Sequence, residues 1–143
     1  MTRITLAKSA GFCFGVSRSV VRAEKRLESG PCKGLGPLIH NEEVGASLAA
    51  RGLEVISSPE EAGPGDRVLI RSHGVSRAVE DALRAAGAEI TDATCPNVAR
   101  IHRLMAEAPA SGRQVIAVGA ADQPEVPAIC GLFTDTVPTA DAG

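Results

Sequence analysis

Two cysteines stand among turn residues at the places where strands are predicted to end. Cys13 lies in "GFCFGV" (Gly11–Val16), and Cys95 lies in "DATCP" (Asp92–Pro96). Thiols in such positions could be inert core residues, a redox pair or metal ligands. The positions of the other polar residues help to choose among these three interpretations.

A second group of polar side chains also follows predicted strands or extended segments: His40, His73, Gln123 and Glu125. In a parallel α/β sheet, ligands bind outside the carboxyl ends of the strands, where helix N-termini also converge. Thiolates at that edge could hold a metal centre. Imidazoles and helix N-termini there could hold an anion such as a diphosphate.

Strands and helices that could position these residues alternate along the chain. Strands are predicted at Arg3–Lys8, Leu53–Ile56, Arg67–Ser72, Ala88–Thr91 and Arg113–Gly119, with a short extended segment around Leu35. Helices are predicted at Ser17–Ser29, Glu42–Arg51, Ser76–Gly87 and 97–108. Strands separated by helical stretches of this length predict an α/β fold, a parallel sheet with helices on both faces.

Composition excludes several classes of function. The 143 residues suffice for one domain, or one domain plus part of a second. A formal net charge of -2, aromatic residues at 2% and no Trp or Tyr argue against a nucleic-acid partner. Apolar runs are too short for a transmembrane helix or a signal peptide. We therefore expect a cytoplasmic protein with no membrane partner, whose four cysteines are thiols or ligands rather than disulfides.

Five motifs together carry a family resemblance: "AKSAGFCFGV", "LGPLIHNEEV", "RSHGV", "DATCPNV" and "QPEV". In this order and spacing they resemble the 4-hydroxy-3-methylbut-2-enyl diphosphate reductases, the LytB/IspH family of the non-mevalonate isoprenoid pathway. The match runs from about Thr5 to Gly131. The resemblance implies a trefoil of three α/β domains around a 4Fe-4S cluster, with residues 1–95 as the first domain and 96–143 as an incomplete second.

The resemblance also implies a role for each motif residue. Cys13 and Cys95 match two of the three cysteine ligands of the cluster. His40 and His73 match residues that bind the diphosphate of the small allylic substrate. Glu125 matches the acid that relays protons to the departing hydroxyl. The implied reaction is reductive dehydroxylation to isopentenyl and dimethylallyl diphosphate, with an electron donor such as ferredoxin or flavodoxin.

Two departures from the family pattern leave alternatives open. Gln123 replaces a histidine of the substrate-binding motif, and the third cysteine ligand belongs to family segments that follow the matched part. A catalytically inactive, truncated family member is therefore one alternative, and a non-redox diphosphate-binding module is another. Of the residues outside the motifs, His102 is expected at the surface, Cys32 in a turn, and neither Cys32 nor Cys130 as a ligand.

Overall fold

Four parallel strands form the main sheet of the described chain. The structure, a computed structural model, describes residues 3–119, 123–131 and 138–139, the last pair by backbone alone. The strands are β1 (Cys32–Leu35), β2 (Leu53–Ile56), β3 (Arg67–Ile70) and β4 (Glu89–Asp92), and they lie in the spatial order β2-β1-β3-β4. All three neighbouring pairs are parallel, which confirms the predicted sheet type.

Within the described ranges, five α-helices accompany the strands: α1 (Phe14–Glu28), α2 (Glu42–Ala50), α3 (Arg77–Ala85), α4 (Pro96–Ala110) and α5 (Glu125–Cys130). Their starts have local causes in the sequence. The Asn41 side chain accepts a hydrogen bond from the Val44 amide at 2.9 Å, and Ser76 accepts one from Val79 at 3.4 Å. Pro96 occupies the first position of α4, where no amide hydrogen is needed.

Alternating strand residues divide the interior into two cores. Leu69 of β3 faces the first core, where it joins Ala23 of α1 and Leu48 of α2. Its neighbour Val68 faces the second core and joins Leu83 of α3. Full burial of such an aliphatic side chain contributes about 1.5–3 kcal/mol. Both faces of the sheet are thus covered by helices, and the predicted fold class is confirmed.

The predicted strand Arg3–Lys8 is wrong. Residues 3–7 form no strand in the structure, and they pair with neither edge of the sheet. Ile4 and Leu6 alternate as a strand would require, yet they are 91% and 83% exposed. A strand needs the backbone hydrogen bonds of a neighbour as well as β-branched residues, and this segment has no neighbour among the described residues.

The predicted strand Arg113–Gly119 shortens to β5 (Ala117–Val118). This dipeptide pairs in parallel with β6 (Pro138–Thr139), so strand structure is confined to the residues that have a partner. The predicted second domain, 96–143, is described only at 96–119, 123–131 and 138–139. Its separation from residues 1–95 stays a prediction. Within the described part of the chain, every helix is too short or too polar to cross a bilayer.

Candidate functional site

Backbone hydrogen bonds extend beyond the strand ends and hold three loops side by side. The Ser72 amide donates to the Leu38 carbonyl at 3.1 Å, and the Cys95 amide donates to the Ser72 carbonyl at 2.9 Å. These bonds continue the order of β1, β3 and β4 for a few residues past each strand. The residues that follow Leu38 and Ser72, including His40 and His73, therefore lie at the same edge of the sheet.

A crevice is expected between the loops after β1 and β3. The chain leaves β1 for α2, which packs in the first core, whereas it leaves β3 for α3, which packs in the second core on the opposite face. Neighbouring parallel strands whose connections run to opposite faces define the switch point at which α/β sheets bind ligands. His40 lies in the loop after β1 and His73 in the loop after β3.

The two histidines contact each other at this switch point. Their ring centroids are 4.7 Å apart, with the ring planes at 41°. His40 is exposed, whereas His73 is 8% exposed. The Nδ1 atom of His73 is buried and has no hydrogen-bond partner among the described residues. A buried polar atom of this kind is costly unless a ligand or water completes its hydrogen bonding.

Three charged or titratable neighbours face His73. The Glu125 Oε1 atom of α5 lies 3.5 Å from His73 Nε2, a long ion-pair distance. Burial is the main influence and lowers the pKa of His73 below its usual range. The Glu125 carboxylate opposes this change, and the His40 ring and the Arg71 guanidinium add to it. The sequence motifs are thus joined in space, with Glu125 beside His73.

No hydrogen bond joins the Gln123 side chain to His73 or Glu125 in the described part of the chain. The Gln123 side chain is exposed, and it forms no hydrogen bond with the other described residues. Its carbonyl oxygen instead accepts a hydrogen bond from the Val126 amide at 3.0 Å, at the start of α5. Whether Gln123 contacts a ligand stays a prediction.

The two motif cysteines cap two helices that meet. Cys13 immediately precedes α1 and Cys95 immediately precedes α4, and neither thiol is used in a cap hydrogen bond. Gly15 packs directly on Cys95, since a Cβ at Gly15 would lie 2.3 Å from the Cys95 Sγ. The buried Ser19 hydroxyl fastens the same junction by donating to the Ala93 carbonyl at 2.7 Å.

This junction has the chemistry of part of a metal-cluster site. Cys13 is exposed and Cys95 is half-buried, and neither forms a disulfide. Helix N-termini favour negative charge, including thiolate. Among residues 3–119 and 123–131, however, no three His, Cys, Asp or Glu side chains cluster closely enough to hold a metal ion. Two thiols do not complete a metal site by themselves, so any further ligands would have to come from outside the described residues.

The remaining cysteines lie apart from this junction. Cys32 is the first residue of β1 and packs in the first core, so its predicted place in a turn is wrong. The turn ends one residue earlier, and Cys32 pairs with Leu53 of β2 as the first residue of the ladder. Burial raises the pKa of the Cys32 thiol, which favours an unreactive thiol at neutral pH. Cys130 is the half-buried last residue of α5.

Two residues occupy positions that were not predicted from the sequence. Arg71, within the quoted "RSHGV" motif, borders a cleft of about 230 Å³ between the starts of α3 and α5. Its Nε atom is buried without a hydrogen-bond partner among the described residues. The position of Arg71 directly after a buried strand indicates a site residue, but only the histidine of "RSHGV" was predicted as one.

His102 is the second such residue, and its expected surface position is wrong. It is half-buried, and its ring packs on Gly74, where a Cβ would lie 2.8 Å from His102 Cε1. Gly74 has a φ of 77°, a left-handed conformation that glycine adopts without strain. Burial lowers the pKa of His102. The residues around His102 do not indicate this packing, because it depends on Gly74 in the loop after β3.

The chain is similar to known proteins of one family. The model of the family described as "LytB protein" matches residues 4–140. The 4-hydroxy-3-methylbut-2-enyl diphosphate reductase of Geobacter sulfurreducens is 42% identical over 142 residues, which is 98% of this chain and 50% of that protein. The chain spans about half the length of the curated relatives it matches.

Two solved structures resemble the chain. One is titled as (E)-4-hydroxy-3-methyl-but-2-enyl diphosphate reductase, the terminal enzyme of the non-mevalonate pathway. It has a TM-score of 0.83 and 37% identity, and the match covers 99% of this chain and 52% of the other. The corresponding reductase of Plasmodium falciparum has a TM-score of 0.88 at 23% identity, covering 94% and 43%. The second likeness concerns the fold alone.

Proposed function

Because the chain belongs to the LytB family, we propose that it forms the substrate-diphosphate site and part of the cluster site of a 4-hydroxy-3-methylbut-2-enyl diphosphate reductase. One observation carries the proposal: His40, His73 and Glu125 meet at the switch point of a parallel sheet. The relatives named as reductases are about twice as long as this chain, so the activity belongs to the proposal.

The histidines would bind the diphosphate. The buried Nδ1 atom of His73 has no hydrogen-bond partner among residues 3–119 and 123–131, and the lowered pKa favours the neutral ring while the site holds no anion. A phosphate oxygen would accept the missing hydrogen bond and stabilise the imidazolium form. Diphosphate binding should therefore be accompanied by proton uptake, and Arg71 would add a charge that does not depend on pH.

Glu125 would deliver a proton to the substrate. The net reaction breaks the carbon–oxygen bond and consumes two electrons and two protons. One proton goes to the hydroxyl, because hydroxide is a poor leaving group and departs as water, and the other goes to carbon, which forms the new carbon–hydrogen bond of the product. The Glu125 carboxyl is partly exposed, with a side chain 39% accessible, so it can exchange protons with solvent. Its distance of 3.5 Å from His73 Nε2 allows the diphosphate site and the proton donor to be aligned together.

Cys13 and Cys95 would hold two corners of a 4Fe-4S cluster, which when bound supplies the electrons that the reaction consumes. The free thiols at adjoining helix starts support this assignment. A donor such as ferredoxin or flavodoxin would reduce the cluster, and such donors would place the protein in the cytoplasm. A third cysteine ligand has no counterpart in the motifs of this chain.

Pyrophosphate titration by calorimetry tests the anion site. Affinity should fall as pH rises through the interval that begins below the ordinary histidine pKa of about 6.5 and ends at the pKa of the ligand-bound ring. His73→Ala should weaken binding by about 1.5–3 kcal/mol, or roughly 10- to 150-fold. His102→Gln, a change at a half-buried histidine outside the site, is the matched control. Binding indifferent to both pH and His73→Ala would remove the histidines from the proposal.

Anaerobic incubation with ferrous iron and sulfide tests the cluster ligands separately. We expect weak uptake that Cys13→Ala or Cys95→Ala abolishes and Cys32→Ala leaves unchanged. A chain of the full length of the curated relatives should instead form a stable brown protein. Pyrophosphate binding without any uptake, even in the longer chain, would instead favour a non-redox diphosphate-binding module.

A further inference from the structure

Helix α5 contacts the loop after β3 at both of its ends. At its first residue, Glu125 approaches His73. At its other end, the Gly131 backbone packs directly on the Ser76 side chain. A Cβ at Gly131 would lie 2.5 Å from the Ser76 Cβ and 3.0 Å from the Pro127 carbonyl oxygen. Neither of these atoms can rotate away, so the approach depends on glycine.

The Ser76 side of this contact is fixed. Ser76 caps α3 through its hydroxyl, and its carbonyl accepts the Glu80 amide at 3.1 Å. Helix α3 is in turn held by Leu83, which is fully buried in the second core. A side chain added at Gly131 would therefore displace α5 rather than α3, because α5 has six residues and a single buried one, Ala128.

We propose that Gly131 is a positioning residue that seats α5 on Ser76 and thereby holds the Glu125 carboxylate beside the His73 imidazole. The role of the Glu125–His73 pair in catalysis rests on the proposed function, whereas the contact between Gly131 and Ser76 does not. Gly131 touches neither histidine, so it would act only through the placement of α5. A displacement of about 1 Å at one end of so short a helix moves the other end by a comparable distance, which is enough to break a contact already at 3.5 Å.

The protonation of His73 reports on this placement in the absence of any ligand. The groups that face His73 are Glu125 from α5, His40 from the loop after β1, and Arg71 from its own loop. Of these, only Glu125 raises the pKa of His73. Loss of the Glu125 contact should consequently lower that pKa further, since burial and the two other neighbours act in the same direction.

The test is a pH titration of the His73 ring by NMR in four variants. Gly131→Ala should shift the His73 titration to lower pH, as Glu125→Gln does. The double variant Ser76→Gly/Gly131→Ala removes the 2.5 Å collision and leaves only the 3.0 Å approach to the Pro127 carbonyl, which lies within α5 itself. It should therefore return the His73 titration towards that of the wild type. Ser76→Gly alone should change little, because glycine at a helix N-cap costs only a few tenths of a kcal/mol relative to serine.

Gly45→Ala provides the control for adding a methyl group to a helical region, since a Cβ there meets nothing within 4 Å. A wild-type titration in Gly131→Ala would overturn the proposal. A shift that Ser76→Gly fails to reverse would also overturn it, because the collision would then not be the cause. Absence of pyrophosphate binding would refute the proposed function while leaving this comparison intact, so the two failures can be told apart.

Discussion

Gly15 controls how closely the start of α1 approaches the Cys95 thiol. A Cβ at this position would lie 2.3 Å from the Cys95 Sγ and 3.5 Å from its Cβ. Non-bonded heavy atoms pack at about 3.5–4.0 Å, so Gly15→Ala would force the thiol or the helix start to move by roughly 1.2 Å or more. The substitution therefore displaces a proposed cluster ligand without removing any functional group.

The free energy of unfolding should reveal this collision. Overpacking a well-filled site costs about 1–3 kcal/mol, whereas exchanging glycine for alanine within a helix gains up to about 1 kcal/mol. Gly15→Ala should then be less stable than the unmodified chain by about 0–2 kcal/mol. Gly45→Ala in α2, which has open space around it, should gain up to about 1 kcal/mol. The two variants should differ by about 1–3 kcal/mol.

Urea unfolding at pH 8 measures this difference, and iron and sulfide uptake measures its effect on the ligand. Uptake should fall in Gly15→Ala and remain unchanged in Gly45→Ala. If both variants unfold at the same urea concentration and bind equal amounts of iron, then Gly15 does not define the position of Cys95, and the junction of α1 with α4 has been misread.

Four further results are expected. Burial lowers the pKa of His73 and His102, so the unfolded chain binds more protons than the folded one. The free energy of unfolding should therefore decline as pH falls from above about 6.5 towards the folded pKa values. In urea titrations, His102→Gln should make this decline smaller. Leu83→Ala should lower the free energy of unfolding by about 2–5 kcal/mol, because Leu83 is fully buried. Leu104→Ala should lower it far less in the same urea titration, because Leu104 is 53% exposed. Limited proteolysis should cut first beyond about Ala108, and early cuts within 67–95 would contradict the predicted domain boundary. Gln123→His should strengthen pyrophosphate binding more in acid than at pH 8, and an equal gain at both would exclude a charge effect.

The sequence determined the local features of this protein because their causes are local. Strand Leu53–Ile56 has the predicted bounds, and α3 begins at the predicted Ser76 cap, since hydrophobic spacing and cap chemistry act within a few residues. The motifs around Cys13 and Cys95 likewise identified the family, which the comparisons confirm.

Only the tertiary structure decided which distant residues meet. Nothing near Arg3–Lys8 shows that its apolar residues lack a strand partner, because pairing depends on the whole sheet. The burial of His102 on Gly74 likewise depends on a loop formed elsewhere in the chain. Glu125 lies beside His73 at one end of α5, and Gly131 meets Ser76 at the other, although α5 and the loop after β3 are about 50 residues apart in the chain. Such contacts arise from packing between elements, and the residues on either side carry no local mark of their partner.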